Sequence, residues 1–297
     1  MTIRRIGGRI GAEFLDVDLA QPISSELAAE INSALVEHKV LVFRGQNLDD
    51  EAHVRFSTIF GALTTAHPTV PSVDGQTNVL EVAGGEGARA NTWHTDVTFV
   101  LSPPKATTLR SLVIPSHGGD TLFSNTAAAY QDLPPHLRVL ADQLWAVHSN
   151  EYDYAEHPQF RTDELDEYQK VFTSTRYRTA HPVVRINPDS NTPNLFIGGF
   201  TTGVVGLSKT ESRDVLRLLQ SYVTRPENTL RHSWKVGDVV VWDNRSTQHY
   251  AVDDYGDLPR RLHRVTIAGD IPVGADGNKS YLIEGDDAAH YTPSAVA

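Results

Sequence analysis

The chain has no cysteine among its 297 residues. That absence excludes disulfides, a thiolate metal site and a cysteine nucleophile at once. A basic field is also missing: 26 Lys and Arg stand against 37 Asp and Glu, for a net charge of −11. Nucleic-acid binding is therefore not expected, because phosphate contacts need a positive surface. No stretch approaches the roughly 18–20 apolar residues of a membrane span, and Met1 to Gly8 lack the apolar core of a secretion signal. The cytoplasm is the expected compartment, with no membrane partner. Internal repeats and low-complexity linkers are absent too. What remains is an ordinary globular composition, 40% hydrophobic and 21% charged, expected as a single domain over 1–297.

Local pattern places a helix over Ser25–His38, with Leu27, Ile31, Ala34 and Leu35 on one face and Ser24 or Ser25 as cap. A buried strand follows from Lys39 to Arg44, then a helix from Asp49 to Phe60 that Gly61 stops. Beyond about residue 76 the chain breaks into short β-prone runs, among them Ala106–Val113, Val183–Ile186, Asn194–Ile197, Val239–Trp242 and Arg261–Ile267. Many short strands of this kind predict a sandwich or barrel. Helices are expected over Leu133–Gln143 and Thr210–Thr224. The polar stretch 150–181 reads as a lid or a long surface loop, and 273–297 as a loose tail.

Two distant segments carry the chemistry, Trp93-His94-Thr95-Asp96 and Trp242 to His249. On a strand, His94 and Asp96 share a face and Thr95 points away; Val97 to Val100 continues as a β-prone run. With His249 they offer two imidazoles and a carboxylate, the facial set of non-haem iron(II) oxygenases, which leaves the opposite side of a metal open. Zinc with a bound water would fit the same donors, for hydrolysis. A keto-diacid co-substrate distinguishes iron: its remote carboxylate can be taken bidentately by Arg260, with the Thr121 hydroxyl as second donor. Arg264, four residues beyond Arg260, shares its strand face, whereas Arg261 and His263 face the other side and Arg261 reads as a surface charge.

With these residues in place, the chain resembles the taurine dioxygenase-like family of Fe(II)/2-oxoglutarate oxygenases, which includes the bacterial alkylsulfatase dioxygenases. The resemblance runs from Gly7 to Asp270 and is carried by Trp93–Phe99, Gly118-Gly119-Asp120-Thr121, Asn125–Tyr130, Trp242–His249 and Arg260–Arg264. It implies a double-stranded β-helix (jelly roll), mainly β and flanked by helices. It also implies His94, Asp96 and His249 as Fe(II) ligands, Thr121 and Arg260 as the 2-oxoglutarate site, O2 as second co-substrate, and a homodimer or tetramer. In such enzymes a sulfate or sulfonate is held by a histidine before the first ligand, an arginine and a backbone amide, which correspond to His67, Arg264 and Val97.

Four residues before His94, where the taurine enzymes carry asparagine, this chain has Ala90. A buried site without that partner would bind a primary ammonium poorly. The resemblance therefore favours an alkyl sulfate ester, oxidised to aldehyde and sulfate with succinate and CO2 as co-products, in a sulfur-scavenging role. Taurine or another sulfonate and an aryloxyalkanoate are the neighbouring alternatives. A zinc hydrolase and a non-catalytic anion-binding jelly roll are the readings from other classes.

Overall fold

A computed structural model describes residues 2–84, 90–151 and 170–292. The chain begins with β1 (Ile3–Arg5), β2 (Ala12–Phe14), α1 (Ser25–His38), β3 (Val40–Phe43), α2 (Asp50–Ser57) and β4 (Val79–Gly84). It continues through β5 (Ala106–Val113), β6 (Thr121–Asn125), α3 (Thr126–Gln131), α4 (Pro135–Asp142), β7 (Trp145–Ser149), β8 (Arg178–Pro182), β9 (Val184–Asn187) and β10 (Thr192–Leu195). The rest is β11 (Thr201–Val204), α5 (Lys209–Val223), β12 (Thr229–His232), β13 (Val239–Asp243), β14 (Thr247–Ala251), β15 (Arg260–Ile267) and β16 (Tyr281–Glu284).

A seven-stranded sheet runs β1-β2-β3-β13-β5-β15-β4, and a three-stranded sheet β12-β6-β14 faces it. Strands β3 and β13 lie at the centre and are apolar on both faces. Leu41, Phe43, Val239 and Val241 pack outward against Ile31, Leu35 and Phe56 of the two N-terminal helices. Their neighbours Val40, Val42, Val240 and Trp242 turn inward and meet Phe123 of β6. Each such side chain contributes about 1.5–3 kcal/mol on burial. The result is the expected jelly roll, mainly strands with flanking helices.

Helix caps follow local chemistry. The Ser24 hydroxyl accepts from the Leu27 amide, and Asp49 caps α2 through the Ala52 amide. Ser208 and Glu211 close a reciprocal capping box on α5. The expected second helix tightens to a 3-10 turn over Thr58–Phe60 before Gly61, and the expected strands at Val183–Ile186 and Asn194–Ile197 are displaced by one or two residues.

The segment 273–292 is not the loose tail that polar composition suggests for 273–297, of which 293–297 lie outside the described residues. Strand β16 pairs antiparallel with β8, and Ala288 and Tyr291 are fully buried. Its anchors are few and widely spaced, so no period betrays them. The stretch 150–181, expected as a lid or loop, lies largely outside the described residues. At its edges Asn150 donates to the carbonyls of Phe172 and Thr175 and accepts from the Tyr177 amide. Among the described residues no helix is long and apolar enough to cross a membrane.

Buried histidines set an acid limit on this fold. Burial pushes the imidazoles of His53 and His148 down from the ordinary 6.5 to about 3. Below pH 6.5 the unfolded chain takes up protons that the folded chain refuses, so stability is present above that pH and lost as the pH falls towards 3. Each residue contributes up to about 1.4 kcal/mol per pH unit in that window. The thermal midpoint should therefore fall between pH 6.5 and 4.5, ahead of most carboxylate titration. A calorimetric midpoint that stays flat across that range would contradict the assignment.

Candidate metal and anion site

His94 and His249 are paired directly, main chain to main chain. The His94 amide donates to the His249 carbonyl at 3.0 Å and the His249 amide returns the bond at 2.8 Å. Their rings lie 4.1 Å apart between centroids. The His94 Nδ1–H donates to the Thr92 carbonyl at 2.7 Å, which fixes the tautomer and leaves Nε2 with its lone pair. His249 packs against Trp242, its ring tilted by 52°, and presents Nε2 3.8 Å from Asp96 Oδ1. Its Nδ1 is buried with no hydrogen-bond partner among the described residues. One donor atom each from His94, Asp96 and His249 lies within 4.8 Å of the others.

The charge states suit a cation. Burial lowers both imidazoles, His249 to about 3, so both rings are neutral at physiological pH. Burial alone would raise the Asp96 carboxyl, but the Arg264 guanidinium, the two imidazoles and the Thr107 hydroxyl outweigh it and hold it at about 2. Two neutral nitrogen donors and one carboxylate, converging in a buried site, fit an iron(II) or zinc ion without any proton having to leave.

A hydrogen-bond chain aims the carboxylate. The Trp242 indole N–H donates to Asn244 Oδ1 at 3.0 Å, the Asn244 amide to Thr107 Oγ1 at 2.8 Å, and the Thr107 hydroxyl to Asp96 Oδ2 at 2.7 Å. Sequence reading missed Thr107 and Asn244 in this role. The Trp-Asp-Asn segment was visible, but only the pairing of Trp242 with Thr107 across β13 and β5 brings the chain together.

Thr95 points away as expected, its hydroxyl donating to the Thr247 carbonyl. The run Val97–Val100 does not continue as a strand. It forms a turn, with Val97 at φ 50. Distant buried histidines pin that turn: His148 Nδ1 meets the Thr98 hydroxyl at 2.8 Å, and the His181 Nε2–H donates to the Thr98 carbonyl, also at 2.8 Å.

Strand β15 carries both arginines to the interior, each less than a tenth exposed, while Arg261 is exposed on the other side. His263 also faces outward, against Asp50 of α2. Arg264 Nη1 donates to Asp96 Oδ1 at 3.2 Å. Arg260 lies two pleat repeats away on the same face, its Nε donating to the Gly119 carbonyl at 3.2 Å. Gly119 sits at φ +69, and a Cβ there would come within 3.2 Å of the Arg260 side chain, so glycine admits the guanidinium. Thr121 pairs with Ala251, two residues from His249, and therefore shares its face. The Trp234 indole N–H donates to Thr121 Oγ1 at 2.9 Å, which leaves the hydroxyl proton free to be donated inward.

His67 is buried, and its Nδ1 accepts from the Thr69 and Val70 amides at 3.2 and 3.1 Å. Burial, reinforced by Arg264, lowers its pKa to about 3. The ring is thus neutral with its proton on Nε2, a donor suited to an anionic oxygen. Phe172 and Phe99 flank it, at 5.4 and 6.3 Å between centroids. Every residue expected at the site is thus buried, and Asp96 and Arg264 touch directly.

The family described as "Taurine catabolism dioxygenase TauD, TfdA family" matches residues 2–266. The chain belongs to this family. Among its TauD/TfdA relatives is the "Alpha-ketoglutarate-dependent sulfate ester dioxygenase" of Pseudomonas putida, 52% identical over 94% of this chain and 93% of that protein. The "Alkylsulfatase" of Acinetobacter baylyi is 49% identical over 94% of this chain and 88% of its own length. The crystal structure of a taurine dioxygenase from Burkholderia xenovorans is 37% identical and superposes with a TM-score of 0.83, covering 97% of this chain and 96% of that one.

Proposed function

We propose that this TauD/TfdA protein is an Fe(II)/2-oxoglutarate-dependent dioxygenase that cleaves alkyl sulfate esters oxidatively. The carrying observation is that β15 holds two buried guanidiniums on one face, Arg264 donating to Asp96 and Arg260 to the Gly119 carbonyl. One suits the substrate head and the other the remote carboxylate of the keto acid. The high identity to relatives named for sulfate esters supports that choice of head group.

In this reading His94, Asp96 and His249 hold the iron, and the bound metal with 2-oxoglutarate and O2 supplies the oxidation, yielding succinate and CO2. The chain's own residues bind and orient. Arg260 and the Thr121 hydroxyl take the far carboxylate of 2-oxoglutarate. Arg264, His67 Nε2–H and the Val97 amide take the sulfate, which sets the carbon bearing it at the reacting position. After hydroxylation of that carbon, its C–O bond to sulfate breaks with the electron pair leaving on sulfate. The hydroxyl loses its proton, and an aldehyde remains. The Ala90 side chain carries no polar atom, and the side chain next to it, Asn91, lines a groove with Thr92, Trp93, Ile197, Leu216 and Tyr250. A primary ammonium would find no side-chain acceptor at Ala90, which disfavours taurine.

The test is product formation by anaerobically purified protein given iron(II), 2-oxoglutarate and O2, across medium-chain alkyl sulfates, taurine, alkyl sulfonates and a phenoxyacetate. Succinate, aldehyde and sulfate in equal amounts from the alkyl sulfates is the expected result. Turnover of taurine alone would reassign the substrate, and sulfate release without O2 would favour a zinc hydrolase.

A further inference from the structure

The matched family region ends at residue 266, yet the polypeptide returns to the site once more. Residues 288–292 form a compact turn: the Tyr291 and Thr292 amides donate to the Ala288 carbonyl at 2.9 and 3.1 Å. This turn grips both flanks of His67. On one side the Thr65 amide donates to the Tyr291 carbonyl at 3.0 Å. On the other, the His290 Nε2–H donates to the Pro68 carbonyl at 2.9 Å.

Tyr291 is fully buried in one cluster with Val97, Phe99, Phe172 and Phe200. Its hydroxyl is buried with no hydrogen-bond partner among the described residues, in the field of Arg264 and Asp96. Thr266 is two residues beyond Arg264 on β15 and shares its face. A buried phenol whose hydroxyl finds no partner in the fold is a poor choice for packing alone. Phenylalanine would fill the same space.

We propose that Ala288–Thr292 is a positioning strap for recognition of the substrate's anionic head, holding His67 through His290 and backing Arg264 through Tyr291. The inference rests on the sulfate-ester reading above. The strap's hydrogen bonds run to Thr65 and Pro68 on the two flanks of His67, so it acts on the substrate half of the site and leaves the 2-oxoglutarate half alone.

His290→Ala and Tyr291→Phe test it, with His290→Gln as the variant that keeps a donor towards Pro68. Binding of a medium-chain alkyl sulfate to the iron(II)–2-oxoglutarate protein is measured without O2 by calorimetry, and KM for each co-substrate is measured with O2. Loss of the His290 bond to Pro68, or of the buried Tyr291 hydroxyl, should weaken alkyl sulfate binding about tenfold, raise its KM in parallel and leave the KM for 2-oxoglutarate unchanged. His290→Gln should recover most of the loss. Wild-type affinity in both His290→Ala and Tyr291→Phe, or an equal rise in both KM values, would overturn the strap while leaving the sulfate-ester reading standing. Failure of the wild-type protein itself to bind or turn over any alkyl sulfate would overturn that reading, and the strap's role with it.

Discussion

Asp96→Ala should reduce succinate formation about a thousandfold or more, to the level of free iron. The carboxylate lies beside both imidazoles and accepts from Arg264, which with Thr107 overcomes the effect of burial and keeps it ionised down to about pH 2. Removing it deletes one proposed ligand and leaves a buried guanidinium beside the metal position, a change of the kind that costs about 3–5 kcal/mol. Thr107→Val provides the graded comparison. It cuts the last link from Trp242 and Asn244 but keeps every donor, so metal affinity or rate should fall about 10–100-fold. Metal content by mass spectrometry and succinate by chromatography read both. Normal turnover by Asp96→Ala would sink the ligand assignment.

The two arginines of β15 should fail in different ways. Arg260→Ala should raise the KM for 2-oxoglutarate by about 10²–10³, the cost of losing one partner of a buried charge pair, while the KM for the sulfate ester holds. Arg264→Ala should do the reverse and also release Asp96 Oδ1. Lysine at 260 should restore only part of the loss, since a point charge cannot reproduce the bidentate fork. Steady-state kinetics with each co-substrate varied in turn decides this. Exchanged effects would mean that the anion positions have been assigned the wrong way round.

The contrast between these arginines was legible in the sequence because a strand has a period of two: the spacing of Arg260 and Arg264 fixed their common face before any fold was known. The same arithmetic applies to His94 and Asp96, which do come together, but not on a strand: His94 makes an isolated bridge with His249 and the turn begins at Asp96. Val97 to Val100 has strand composition, but Thr98 is held by His148 and His181, contacts 50 and 83 residues away in the chain, and a non-local clamp overrides local propensity. Thr107, Asn244 and Trp234 stayed invisible for the same reason. Each acts through a partner on another strand, and a polar side chain in a strand does not announce its acceptor. The end of the chain misled most. Its glycine- and aspartate-rich run looks like solvent-exposed loop, and only its pairing with β8 and the burial of Ala288 and Tyr291 reveal a packed element.

The mutual backbone bonds between His94 and His249 have a practical consequence. Two of three donors are welded into the scaffold before any cation arrives, so the centre is a socket rather than a selector. Rigid imidazole–carboxylate sockets follow the general affinity order of divalent ions, in which nickel and copper outbid iron. Discrimination must then come from supply. If these residues hold the metal as proposed, occupancy should follow the ion supplied, and activity is expected only with iron(II). A chelator should empty the socket with its walls left standing, and added iron(II) should rearm it.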